Sequence, residues 1–179
     1  MPFESVDGLV QSIAAVPSSF ESAWQDEVHA FWVSSDSEEI QELQRDGATA
    51  VIDLSMQFAD RGYQCDVELV SQVLGRLMDI QVRDFALGTH NAKTFDIYWN
   101  MWLYLLRVAP TGFVAPVACL FATLAYERGE TQLAYRALDR ATADDPKYSL
   151  TILLRRVFGS GWPAAAFAAM RVELHPKVT

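Results

Sequence analysis

Two pairs of residues in the middle of the chain could together form a ligand-binding pocket. Arg83 and Asp84 are adjacent, and Trp99 and Trp102 follow in an aromatic segment, IYWNMWLYLL. A guanidinium and a carboxylate can orient a ligand, and indole rings can line an apolar cavity. We expect the first pair to act as a structural clamp between helices and the second to pack in the core. A small-ligand-binding protein or an enzyme with an aromatic pocket at these four residues stays open as the alternative.

The sequence contains none of the common catalytic motifs. The sequence has no GxxxxGK[ST] phosphate loop, no GxSxG nucleophile elbow and no HExxH zinc motif. Its three histidines, His29, His90 and His175, are far apart in the sequence, which is not the spacing of metal ligands. We therefore assign no catalytic residue, no metal and no cofactor, and we expect a non-enzymatic protein.

Carboxylates dominate the first sixty residues. Residues 1–60 contain twelve acidic side chains and one basic side chain, Arg45, for a net charge of −11, whereas residues 61–179 carry a net charge of +2. Binding to a nucleic-acid backbone requires clustered Lys and Arg. We therefore expect no direct nucleic-acid binding through this segment. A protein partner with a basic surface fits it instead, because opposite charges steer association.

Five residues are the candidates for contact with such a partner. Glu38, Glu39 and Glu42 supply the charge, and Trp24 and Trp32 supply aromatic anchors of the kind that dominate binding energy at interfaces. The same acidic segment could hold a hard cation if another helix added oxygen ligands. We expect a solvated acidic face that binds protein, in an interaction or regulatory role.

Two other interpretations of the charge pattern remain open. Regularly spaced carboxylates could imitate phosphates, which would make the chain an acidic nucleic-acid mimic. The acidic segment could also pair with basic residues of the C-terminal half, either within one chain or across a homodimer. Those basic residues are Arg128, Arg136, Arg140, Arg155 and Arg156.

Composition places the chain among soluble globular proteins. Of its 179 residues, 51% are apolar and 21% are charged, which suits one domain with a sizeable core. The longest apolar stretch, residues 97–126, is interrupted by Arg107, Pro110 and Pro116, so we expect no membrane span. The acidic N-terminus lacks the features of a signal peptide, and two isolated cysteines suit a reducing compartment. These features favour a cytoplasmic protein.

Hydrophobic periodicity predicts helices along the whole chain. Apolar residues recur at three- and four-residue spacing, and no segment shows the alternation of a strand. We predict an all-α fold, a single helical bundle of about eight or nine helices over residues 1–179. Acidic helices occupy residues 1–60, and the helical core occupies residues 61–172. One helical hairpin near residues 113–146 is tetratricopeptide-like, with Gly129 in its turn and Pro146 after its second helix.

The second half of the chain carries a series of motifs in a distinctive order. They are Arg83-Asp84, APVACLFATLAYERG, ALDRATADDPKYSLTILL and GSGWP. In this order they resemble the C-terminal half of an actinobacterial family, domain of unknown function 4192, over about residues 80–170. The resemblance implies a cytoplasmic protein from an actinobacterium or its phage, and it implies no known reaction. The acidic helices that precede these motifs depart from the family, whose members usually carry a longer N-terminal region with strand-like apolar runs.

Overall fold

The computed structural model describes residues 6–15, 21–32, 34, 36–62, 66–173 and 175. Within these residues the chain is all-α, as the sequence predicts, and it forms ten helices. They are α1 (Val6–Ser12), α2 (Glu21–His29), α3 (Ile40–Arg61), α4 (Val67–Arg76), α5 (Ile80–Thr89), α6 (Phe95–Val108), α7 (Val114–Glu127), α8 (Thr131–Asp144), α9 (Ser149–Gly159) and α10 (Ala164–Glu173).

Helix α7 forms the centre of the bundle. Every residue from Val114 to Tyr126 is buried, and only Glu127 at its end is partly exposed. A helix that is apolar on all sides must be surrounded by other elements. Helices α5, α6, α8, α9 and α10 all pack against it.

The most extensive contact of α7 is with α8. The buried face of α8 is built largely from small residues, Ala134, Ala137 and Ala141, which let the two helices approach closely. Gly129 joins the helices with a φ of 86°, a conformation that a residue without a Cβ adopts at no steric cost. The two-helix hairpin predicted at residues 113–146 is therefore present, and its likeness to a tetratricopeptide repeat stays a prediction.

The described part of the chain contains more helices than the eight or nine predicted, and one reason lies between α4 and α5. Asp79 accepts hydrogen bonds from the backbone N–H groups of Gln81 and Val82, at 2.8 and 3.2 Å. This N-cap starts a new helix after a short turn. The helical spacing of apolar residues continues across this turn, so hydrophobic periodicity alone cannot locate the boundary between α4 and α5.

None of the described helices combines the length and the apolar character needed to cross a membrane. In the longest apolar stretch, the segment around Pro110 separates α6 from α7, so two shorter helices pack in the core instead.

Close packing at Gly75 gives a test of the fold. A Cβ added to Gly75 would lie 2.5 Å from the backbone oxygen of Val28 and 2.7 Å from the Cβ of Phe31. Because a backbone carbonyl cannot move aside easily, we expect Gly75→Ala to lower the free energy of unfolding by about 1–3 kcal/mol. Urea denaturation followed by circular dichroism measures this change.

Gly159→Ala is the matched control, since a Cβ there would come no closer than 3.9 Å to the Tyr135 hydroxyl. The control should leave stability unchanged or raise it by up to about 1 kcal/mol, because Ala favours the helix. Equal stability of Gly75→Ala and the wild type would contradict the packing of α2 against α4.

Candidate functional site

Helices α5, α9 and α10 enclose a pocket of about 170 Å³. Seven of its lining residues are apolar, and three, Arg83, Asp84 and Arg171, are charged. Such an apolar pocket with a few polar groups is the usual form of a small-molecule site. The apolar residues are Leu87 from α5, Leu150, Leu153, Leu154 and Val157 from α9, and Phe167 and Met170 from α10.

The charged pair predicted from the sequence lies on one side of this pocket. Arg83 donates from Nε and Nη2 to the same oxygen, Oδ1 of Asp84, at 2.9 and 2.7 Å. Its third nitrogen donates to the hydroxyl of Tyr148 at 3.3 Å, and the guanidinium lies over that ring. Burial raises the pKa of Tyr148 to about 12, so the hydroxyl stays protonated at neutral pH. Arg83 therefore links α5 to the residue that precedes α9.

The two tryptophans that the alternative interpretation assigns to a pocket with Arg83 lie elsewhere. Trp102 is fully buried in the core, and Trp99 packs against Phe121 at 4.8 Å between ring centroids. The guanidinium of Arg128 lies 4.5 Å from the centre of the Trp99 ring. Neither tryptophan lines the pocket between α5, α9 and α10. The structure thus brings together Arg83 and Asp84 but separates them from Trp99 and Trp102.

A buried ionic network adjoins the pocket and was not predicted. Glu127, at the end of α7, accepts from Arg171 Nε at 2.6 Å and lies 2.8 Å from His90 Nε2. Arg171 also donates to the backbone oxygens of Leu87 and His90, at 3.0 and 3.3 Å. The network therefore ties α10 to α7 and to the end of α5. Its members are far apart in the sequence and match no motif, so the sequence carries no signal for it.

The network fixes the charge on Glu127. Burial alone would raise the pKa of this carboxyl, but the hydrogen bond and charge of His90 and the charge of Arg171 outweigh it. The pKa of Glu127 is therefore lower than its ordinary value of 4.5. Arg171 lines the pocket with its charge already balanced by Glu127.

The predicted partner-binding residues fall into two groups. Trp24 is half-buried and donates from Nε1 to the backbone oxygen of Val108 at 2.7 Å, so it joins α2 to the end of α6. Trp32 is 47% exposed and stacks on His29. The carboxylate-bearing residues Glu38, Glu39 and Glu42 are exposed, before and at the start of α3.

Helix α3 continues this acidic surface along its outer side. Glu42, Asp46, Asp53 and Asp60 are exposed and recur at intervals of four, seven and seven residues. At 100° per residue these positions fall within about 40° of one another. We call these four residues the acidic row. The buried residues of α3, among them Val51 and Phe58, lie on the opposite side of the helix.

The C-terminal arginines do not neutralise the acidic row. Arg136 and Arg155 both bind Asp139, at 3.0 and 2.8 Å, and Arg128 pairs with Glu130. Arg140 donates to the backbone oxygens of Ile13 and Leu106, at 2.6 and 2.7 Å. Over the described residues, no ion pair joins α2 or α3 to these arginines. In the row itself, only Asp60 has an ion-pair partner in the described chain, the neighbouring Arg61, which is also exposed.

Comparison with known protein families identifies the chain. The family model described as Domain of unknown function (DUF4192) matches residues 6–165. The chain belongs to the DUF4192 family. The match confirms the resemblance seen in the second half and extends it almost to the N-terminus. The expectation that the acidic N-terminal helices depart from the family is wrong, because the family model includes them.

Membership of the DUF4192 family does not assign an activity to the chain, because the family is described only as a domain of unknown function. No curated protein and no solved structure matches the chain. The matched range covers the acidic row and the Arg83–Asp84 pair, and it ends before Arg171. Function must therefore be inferred from the surfaces and the pocket of this DUF4192 protein.

Replacing Glu127 tests the buried network. Glu127→Gln removes the charge that balances Arg171, so we expect the free energy of unfolding at pH 7 to fall by about 3–5 kcal/mol. Since the pKa of Glu127 is lowered in the folded state, its contribution is complete above the ordinary value of 4.5 and is lost as the pH falls through the folded pKa. Urea denaturation between pH 3 and pH 7 should therefore show a smaller loss of stability with acid in the variant.

Glu130→Gln provides the control, because Glu130 pairs with Arg128 on the surface at 3.5 Å. Its effect should stay below about 1 kcal/mol, as is usual for exposed pairs. If Glu127→Gln were as mild as Glu130→Gln, the network would contribute nothing to stability.

Proposed function

We propose that this protein is a non-enzymatic, helical interaction protein that presents the outer face of α3 to a basic surface of another protein. The observation that carries the proposal is the acidic row, Glu42, Asp46, Asp53 and Asp60, which is exposed along the helix opposite its buried side. A surface of this kind attracts a positively charged partner and repels an acidic one.

The density of charge along the row favours a protein partner over mimicry of nucleic acid. At about 1.5 Å per residue, the distance along the axis from Glu42 to Asp60 is about 27 Å. Four carboxylates over that length give about one charge per 9 Å. One DNA strand carries a charge about every 3.4 Å along its axis. This spacing favours a protein partner over imitation of a phosphate backbone.

Exposed apolar side chains near the acidic row would add hydrophobic contacts with the partner to the electrostatic attraction. Met56 is 65% exposed and lies on α3 next to the acidic row. Methionine is enriched at protein interfaces because its flexible side chain adapts to a partner. Trp32, exposed after the end of α2, is a second possible anchor near the start of α3. We propose the cytoplasm as the location, since a reducing compartment suits the free, buried thiol of Cys119.

Neutralising the row tests the proposal. In the variant Glu42→Gln/Asp53→Asn/Asp60→Asn, Asp46 is kept because its charge acts on Arg76 inside the fold. We expect this variant to bind a fluorescent nona-arginine peptide at least fivefold more weakly than the wild type. The reason is that three of the four charges of the acidic row are lost. Fluorescence anisotropy at low salt measures the affinity.

A control variant carries the same change in net charge at other places. Glu68→Gln/Asp96→Asn/Glu173→Gln neutralises exposed residues on α4, α6 and α10. Its affinity for the peptide should stay within twofold of the wild type. Equal weakening of both variants would mean that binding follows net charge and not the row.

The same variants reveal whether the basic partner is a second copy of this chain. Analytical ultracentrifugation of the wild type should show a monomer, because Arg128, Arg136, Arg140 and Arg155 are bonded within the chain. A dimer that dissociates on neutralising the acidic row would replace the proposed partner with a homodimer.

A further inference from the structure

The pocket between α5, α9 and α10 lies apart from α3 and has a different chemistry. Its walls are apolar, and it opens to solvent beside Leu153, which is 54% exposed. The side chain of Asp84, 37% exposed, also lies at its edge. We propose that this pocket binds a small neutral molecule with an apolar ring or chain and one hydroxyl group.

The volume of the pocket limits the ligand to about the size of one ring. A volume of about 170 Å³ is close to that of engineered apolar cavities, of about 150 Å³, that bind benzene. Leu150, Leu154 and Phe167 are buried and provide an apolar wall. A single substituted ring, or an aliphatic chain of similar volume, fills such a space.

The charges that line the pocket are balanced within the protein, so the pocket favours a neutral ligand. The two cations that line the pocket are both paired with carboxylates, Arg83 with Asp84 at 2.7 Å and Arg171 with Glu127 at 2.6 Å. Neither guanidinium is left to attract a carboxylate or a phosphate. An anion would lose its hydration without gaining a partner, and a cation would compete with Arg83 for Asp84.

One polar group in the lining is free to accept a hydrogen bond. Both hydrogen bonds that Asp84 receives from Arg83 go to Oδ1, and within the described chain Oδ2 receives none. A hydroxyl on the ligand could donate to this oxygen, and this bond would be charge-assisted. The free oxygen therefore favours an alcohol or a phenol over a hydrocarbon of the same shape.

Two ligands of equal shape test the proposal. The probes are p-cresol and p-xylene, which differ by a hydroxyl in place of a methyl group, and the assay is a titration of ¹⁵N-labelled protein followed by NMR. We expect saturable shifts of amides in α5, α9 and α10, with p-cresol bound at least fivefold more tightly. Absence of saturable shifts in these helices, or binding of p-xylene as tight as that of p-cresol, would overturn the proposal.

Two variants locate the site and its hydrogen bond. Val157→Phe places a ring in the pocket and should weaken the binding of both probes at least tenfold. Ile152→Phe, on the exposed face of the same helix, should leave the binding of both unchanged.

Asp84→Asn replaces one carboxylate oxygen with an NH₂ group that cannot accept a hydrogen bond. It should reduce the preference for p-cresol to twofold or less while p-xylene binds as before. An unchanged preference in Asp84→Asn would assign the hydroxyl to another group and overturn the role of Asp84.

Discussion

Burial of α7 on every side is the constraint on which the rest of the structure depends. A helix that exposes no apolar face must be covered all round, and five neighbouring helices do this. Its alanines allow α8 to approach closely, and Gly129 permits the tight connection between them. Helix α3 lies outside this shell and packs against α4, α5 and α6. Its outer side is therefore free to carry charge, and the acidic row follows from that position.

The one charged residue of α7 explains how the pocket is built. Glu127 ends the helix at the edge of the core, where it binds Arg171 and His90. This network fixes α10 against α7 and α5, and α9 completes the enclosure. An ionic contact inside the fold thus holds the apolar helices around the pocket. The acidic row and the pocket differ in chemistry and belong to different helices.

Much of the fold could be predicted from the sequence, because the patterns that indicate helices and turns lie within short stretches of the chain. Apolar spacing identified the helices, and Gly129 and Pro146 marked the hairpin of α7 and α8. The pocket could not be predicted, because it depends on which helices meet. The sequence left open a pocket that combined Arg83 with Trp99, but of the two only Arg83 lines the pocket, and Trp99 packs against Phe121. The network of Glu127 was missed for the same reason, since its partner Arg171 lies 44 residues further along the chain.

Native-state hydrogen exchange tests the central position of α7 most directly. If α7 is the covered core of the bundle, its amides should exchange only when the whole molecule unfolds, and their opening free energy should equal that of global unfolding. The amides of α3, which is exposed along one side, should open more readily. Exchange of the α7 amides through local opening, at free energies no higher than those of α3, would contradict this account of the fold and of the two surfaces that it positions.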